Sequence, residues 1–225
     1  MQGIERSRCL PIPPIMGHSV PVLAEAHREC ATTGGSSEEA MTQPRSLPRI
    51  VYIHGDGVLY WPWGWVAALQ KELQSAGFPT FFELLPDSIE ARAQYWMPFL
   101  RDHVRICESD VLLGWSCGAV AAMRCAEAQR VRGLVLVAPY FTDLGLEVVR
   151  RAGWVDAPWD WARIRANAGQ IAMFHSDADP YIPQSEFAQL GEHLQADAHV
   201  IAGAGHFGEQ DTFSELCDLI RSVYS

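Results

Sequence analysis

Residues 111–118 read Val-Leu-Leu-Gly-Trp-Ser-Cys-Gly and run directly into a small-residue, helix-forming stretch at 119–128. An apolar strand that passes without a spacer through Gly-x-Ser-x-Gly into a helix is the pattern of a nucleophile elbow, with Ser116 at its apex. A serine on so sharp a strand-to-helix turn is strained, and a side chain at Gly114 or Gly118 would collide with neighbouring backbone. The bare pattern arises by chance in roughly one chain of this length in twelve, given average glycine usage. Its weight comes from Asp179 and His206 downstream, which supply an acid and a base in the order that such an elbow requires.

The rest of the chain alternates in the same way. Residues 49–53, 80–84, 111–114, 133–138, 170–175 and 199–202 are short apolar or β-branched runs, and 63–76, 88–102, 119–128, 183–194 and 211–223 have helical patterning. Strand alternating with helix predicts an α/β fold, a mostly parallel sheet of about six strands flanked by helices on both faces. Ligands in such sheets sit beyond the carboxyl ends of the strands, and the elbow, Asp179, His206 and the turn His54-Gly55-Asp56-Gly57 all follow strands at that end. Residues 1–47 differ: rich in Pro, Gly, Ser, Thr and Glu and without sustained periodicity, they predict a flexible, low-complexity N-terminal extension ahead of one domain over 48–225.

Composition narrows the chemistry. A formal charge of -10 argues against a nucleic-acid or anionic-membrane surface, since both reward clustered Lys and Arg. Lys71 is the only lysine and falls in an amphipathic helical stretch, so a Ser-Lys dyad, a Schiff-base lysine and a phosphate-binding Gly-Lys-Ser/Thr loop have no candidate. The catalytic base is left to histidine or a carboxylate. The six cysteines contain no C-x-x-C pair, which predicts free thiols in a reducing compartment. Apolar runs are of strand length, and the N-terminus lacks the order of a secretory signal. A cytoplasmic protein is expected, with a targeting role for residues 1–47 left open.

Asp179 lies in Asp-Ala-Asp-Pro-Tyr-Ile-Pro after the fifth apolar run, where a carboxylate can hold the Nδ1 proton of a histidine. Asp177 is its rival, and x-x-Ile-Pro after Asp179 favours Asp179. His206 sits in the loop Gly203-Ala204-Gly205-His206-Phe207, whose glycines let the backbone carry an imidazole over the sheet edge. The oxyanion hole is expected from the Cys117 N–H and one N–H of Gly55, Asp56 or Gly57. Eight tryptophans stand out. Most suit core packing, while Trp115, Trp159 and Trp161 are candidates for an apolar substrate pocket. The interval from Pro139 to Gly169 leaves room for a small lid or none. No paired ligand motif predicts a metal, and no cofactor is expected.

Several stretches are more specific than this general pattern. They are Pro86-Asp87-Ser88-Ile89 with Ala91-Arg92, Trp96-Met97-Pro98-Phe99, Gly118-Ala119-Val120-Ala121-Ala122-Met123-Arg124 with Ala126-Glu127, and Asp143-Leu144-Gly145. Pro158-Trp159-Asp160-Trp161, Ala166-Asn167, Asp179-Pro180 and Gly205-His206-Phe207 follow in unbroken order. Together they resemble the retinoblastoma-binding protein 9 family of small serine hydrolases over about residues 48–224. The resemblance implies the α/β-hydrolase fold and lays the family's nucleophile, acid and base on Ser116, Asp179 and His206. It departs at Trp115 and Cys117, where the family commonly has His and Ser, and at the first turn, His-Gly-Asp-Gly in place of a Pro-Gly-Asn-Gly type. The L-x-C-x-E peptide behind the family's name falls on Val104, Ile106 and Glu108. Two of its three defining residues are missing, so binding to the retinoblastoma protein is not implied.

These readings converge on a serine hydrolase that cleaves a small ester, amide or short peptide through an acyl-enzyme. The alternative from another class is a catalytically slow hydrolase fold that serves as a binding or interaction module.

Overall fold

The computed structural model describes residues 46–59 and 61–225. Most of the expected N-terminal extension, with Cys9, Cys30, His18 and His27, lies outside the described residues. From Ile50 onward the chain forms a six-stranded sheet in the order β2-β1-β3-β4-β5-β6, with every pairing parallel. The strands are β1 (Ile50–Ile53), β2 (Thr80–Phe81), β3 (Val111–Trp115), β4 (Val131–Val137), β5 (Ala168–Ser176) and β6 (Asp197–Ile201). All residues of β1 and β3 are buried. This is why these strands read as continuous apolar runs and not as an alternation: both faces of the sheet are covered.

The helices are α1 (Gly64–Ser75), α2 (Ala93–Pro98), α3 (Cys117–Ala128), α4 (Glu147–Ala152), α5 (Trp161–Asn167), α6 (Gln184–Leu194) and α7 (Ser214–Tyr224). The step from β1 to β2 runs the opposite way along the sheet from every later step. Right-handed crossovers therefore put α1 on one face and α2, α3, α5 and α6 on the other. The packing agrees: α1 contacts α7, while α3 contacts α2 and α5, and α5 contacts α6. The reversal of direction lies between β1 and β3, and the crevice beyond their carboxyl ends is where such sheets bind ligands.

Four differences from the sequence expectation have local causes. The strand expected over 80–84 pairs only at Thr80 and Phe81. Beyond them the Trp61 indole takes the Phe82 carbonyl (2.8 Å) and the His54 ring takes the Leu85 N–H (2.9 Å) in place of ladder bonds. The helix expected from residue 88 starts at Ala93, because Asp87 and Ala91 have positive φ and the Asp87 carboxylate binds the Arg92 N–H (3.0 Å) and guanidinium (2.7 Å). Pro98 ends the α-helical turns and Phe99–Val104 widens into a π-helix, since proline removes one N–H from the ladder. Lastly, the interval after β4 contains two short helices, α4 and α5. Asp160 caps α5 by accepting the Arg163 N–H (2.9 Å).

Candidate active site

Ser116 occupies the single residue between β3 and α3, at φ 56° and ψ -122°. That backbone conformation costs a non-glycine residue roughly 1–3 kcal/mol and persists only where the surroundings enforce it. Here the Ser116 N–H donates to the Val137 carbonyl (2.8 Å), and its own carbonyl accepts from Ala119 (2.9 Å) at the start of α3. The flanking glycines are steric necessities: a Cβ at Gly114 would stand 2.4 Å from the Gly118 carbonyl oxygen, and one at Gly118 would stand 2.0 Å from that of Ile53. The helix therefore lies directly on β1 and β3, and Ser116 is lifted toward the crevice.

His206, in the loop after β6, brings Nε2 to 2.9 Å from Ser116 Oγ and Nδ1 to 2.8 Å from Asp179 Oδ2. The other Asp179 oxygen, Oδ1, accepts from the N–H groups of Tyr181 (2.9 Å) and Ile182 (3.0 Å). Burial works against ionisation of Asp179, but the His206 bond and the two backbone donors outweigh it and hold the carboxyl below its ordinary range. An ionised carboxylate only accepts, so the His206 proton resides on Nδ1 and leaves Nε2 free to accept from the Ser116 hydroxyl. Asp177 does a different job. It accepts the Gly203 N–H (2.7 Å) and ties the loop after β5 to the loop after β6.

Two indoles that the sequence did not single out for this purpose hold the His206 loop. Trp115 donates to the His206 carbonyl (2.9 Å), and Trp65 donates to the Phe207 carbonyl (2.7 Å). Trp63 packs on Trp115 at 5.1 Å between centroids, and Tyr181 meets the His206 ring edge-on at 5.2 Å. No local pattern announces these bonds, because their partners lie 91 and 142 residues apart in the chain.

Ser116 and His206 open onto a cavity of about 340 Å³. Gly55, Asp56, Trp115, Cys117 and Tyr140 line it near Ser116, and Leu144, Leu146, Val148, Val149 and Ala152 form an apolar wall. Helix α4 thus supplies part of that wall through Val148, Val149 and Ala152. The Cys117 thiol is kept protonated, pushed up chiefly by burial and also by the charge of Asp56.

Of the oxyanion candidates, Cys117 is the first residue of α3, where helical N–H groups lack intrahelical acceptors. Gly57 drops out, since its N–H donates to the Ile89 carbonyl (3.1 Å). Gly55 and Asp56 remain. Trp115 lines the cavity, but Trp159 and Trp161 do not. Asp160 starts α5 between them, and α5 packs against α3 and α6 on the flank of the sheet. There the Arg124 guanidinium covers Trp159 at 3.6 Å and His193 stacks on Trp161 at 4.7 Å. Among the described residues no group of three or more His, Cys, Asp or Glu side chains is placed to hold a metal ion. No described helix is long and apolar enough to cross a membrane.

Comparisons with known proteins show which family the chain belongs to. The family model described as serine hydrolase matches residues 64–224. The serine hydrolase RBBP9 of Rattus norvegicus is 37% identical over 161 residues, 71% of this chain and 86% of the relative. The chain belongs to the serine hydrolase family. This decides for an enzyme over a binding module. The hydrolase is also similar to the YdeN hydrolase of Bacillus subtilis, described as putative, at 24% identity over 170 residues, 72% of this chain and 88% of the relative. The crystal structure of that ydeN gene product superposes with a TM-score of 0.69 at 21% identity, covering 78% of this chain and 97% of the other. Est1E from Butyrivibrio proteoclasticus follows with a TM-score of 0.59 at 14% identity, covering 80% and 87%. The fold is that of the α/β hydrolases.

Proposed function

We propose that this serine hydrolase cleaves small esters, and amides of similar size, by acyl transfer to Ser116. The observation that carries the reading is the unbroken hydrogen-bond relay from Ser116 through His206 to Asp179, opening at its serine end onto the cavity. His206 Nε2 takes the hydroxyl proton as Ser116 Oγ attacks the carbonyl, and Asp179 steadies the imidazolium through Nδ1. The oxyanion rests on the Cys117 N–H and one N–H of the Gly55–Asp56 segment. His206 then protonates the leaving group, and a water activated by the same imidazole releases the acid.

The cavity wall supports an apolar acyl or side-chain group of modest size, because 340 Å³ lies near the lower end for ligand pockets. Its lining residues include Asp56 and Glu90 and no lysine or arginine. Glu90 is paired with Arg92 at 3.0 Å. Asp56 therefore leaves the surroundings of the cavity negative and disfavours substrates that carry a carboxylate or phosphate near the scissile bond.

The decisive experiment labels the wild type and Ser116→Ala with a fluorophosphonate probe and maps the modified peptide by mass. Labelling of the wild type alone, at Ser116, together with hydrolysis of p-nitrophenyl butyrate faster than of the same ester with a terminal carboxylate, is expected. A folded wild type that does not label, or a Ser116→Ala variant with undiminished turnover, would refute the triad.

A further inference from the structure

His54 is a buried polar residue in the fold, fully enclosed where β1 ends and the turn over the cavity begins. Both of its ring nitrogens are engaged. The Leu85 backbone N–H donates to Nε2 at 2.9 Å, so Nε2 is an acceptor and the ring proton must sit on Nδ1. Nδ1 lies 2.6 Å from the Gly55 carbonyl oxygen and donates to it. The ring is neutral in this arrangement, and burial, which pushes its pKa down, acts in the same direction. Trp96 meets it edge-on at 4.9 Å and Trp61 packs at 5.9 Å, so the imidazole has little freedom to turn.

The consequence lies in the next peptide. A trans peptide is planar, so the carbonyl of Gly55 and the N–H of Asp56 point in opposite directions. With the carbonyl drawn onto His54, the Asp56 N–H is turned away from that ring, and both residues of this peptide line the cavity. The turn stands against the elbow, since a Cβ on Gly55 would lie 3.3 Å from the Cβ of Ser116. The following amide, of Gly57, is already committed to Ile89.

We infer that His54 is a positioning residue for catalysis: its neutral Nδ1–H form locks the Gly55–Asp56 peptide so that the Asp56 N–H is the second donor to the oxyanion. The inference rests on the acyl-transfer reading of Ser116. A donor fixed before the substrate arrives needs no reorganisation when charge develops, and this is what makes an oxyanion hole effective.

Two substitutions separate this role from a structural one, because each keeps one of the ring's two bonds. The amide nitrogen of His54→Asn stands near the place of Nδ1 and keeps the donor to Gly55, but abandons Leu85. The amide oxygen of His54→Gln stands near the place of Nε2 and keeps the acceptor for Leu85, but abandons Gly55. With p-nitrophenyl butyrate, H54Q should lose about 10- to 100-fold in kcat at nearly constant KM, as befits a loosened oxyanion donor. H54N should recover most of that loss even though it melts at a lower temperature than H54Q. If kcat of the two variants simply follows their melting temperatures, or if H54Q turns over like the wild type, the inference is overturned.

A measurement on the wild type needs no variant to fold. The ¹⁵N shifts of the His54 ring should report a protonated Nδ1 and a bare Nε2, and the opposite tautomer or a cationic ring would overturn the inference. Labelling of wild-type Ser116 keeps the two levels apart: a labelled, active wild type with indifferent His54 variants rejects the positioning role alone, whereas an unlabelled wild type rejects the acyl-transfer reading and this role with it.

Discussion

Replacing Asp179 by asparagine changes one atom, and the structure dictates where the change acts. The two N–H groups of Tyr181 and Ile182 point at Oδ1, so the amide oxygen of the new side chain must take that place. Turning the amide round would set its NH2 against two backbone donors, at roughly 1–3 kcal/mol for each bond lost, or about 2–6 kcal/mol in all. The NH2 therefore takes the place of Oδ2, 2.8 Å from His206 Nδ1. A donor there requires Nδ1 to be the acceptor, which moves the imidazole proton to Nε2, opposite Ser116 Oγ. A protonated Nε2 cannot receive the serine proton. The enzyme must then either flip the amide or react from a minor tautomer, and the negative charge that stabilises the imidazolium is gone as well. A loss in kcat on the order of 10⁴-fold follows. At 1.36 kcal/mol per tenfold this is about 5.4 kcal/mol, within the range set by the flip. The assay is steady-state hydrolysis of p-nitrophenyl butyrate by wild type and Asp179→Asn, with a thermal melt to show that both are folded. A folded Asp179→Asn variant within tenfold of the wild type would show that the two backbone donors do not fix the amide.

Other perturbations reach the same site by different routes. Trp115→Phe keeps an aromatic ring but deletes the donor to the His206 carbonyl; at about 1 kcal/mol for a hydrogen bond, turnover should fall roughly fivefold, and an unchanged kcat would remove Trp115 from the support of the histidine loop. Cys117 adjoins Ser116 but its thiol is buried and pushed up in pKa, so iodoacetamide at neutral pH should leave hydrolysis of the native enzyme intact; loss of activity in step with alkylation at Cys117 would contradict this. Because Asp179 is held below its ordinary carboxylate range when folded, its contribution to stability is present above the unfolded value near pH 4 and is lost as pH falls through the lower folded value. Urea unfolding should therefore show the stability difference between wild type and Asp179→Asn narrowing as the pH falls below about 4, and a gap that widens on acidification would reverse the sign of the linkage.

The departures from the family pattern gain meaning in the structure. Trp115, where the family commonly has histidine, both lines the cavity and pins the His206 carbonyl. His54, where a proline is more usual, bonds on both sides of its ring and joins the turn after β1 to the segment after β2. Two residues that break the resemblance thus tie down the His206 loop and the turn after β1 with side-chain hydrogen bonds.

Elements with local causes could be read from the order of residues alone. The elbow was legible because a strand, a strained serine and two obligatory glycines occupy eight consecutive residues, and the parallel sheet was legible because strands buried on both faces have to be apolar throughout. The chain order of Ser116, Asp179 and His206 was legible for the same reason, each following its own apolar run. Helices α4 and α5 were not, since they have six and seven residues, too few for a helical period to show. Packing in three dimensions was needed to show what Asp179 and its rival Asp177 each bind, to remove Gly57 from the oxyanion candidates, and to move Trp159 and Trp161 from the pocket to the flank. Those outcomes depend on hydrogen-bond partners 26, 27 or 32 residues away and on which face of a helix a ring meets. Such separations are spanned by packing of the whole sheet, and no pattern of neighbouring residues records them.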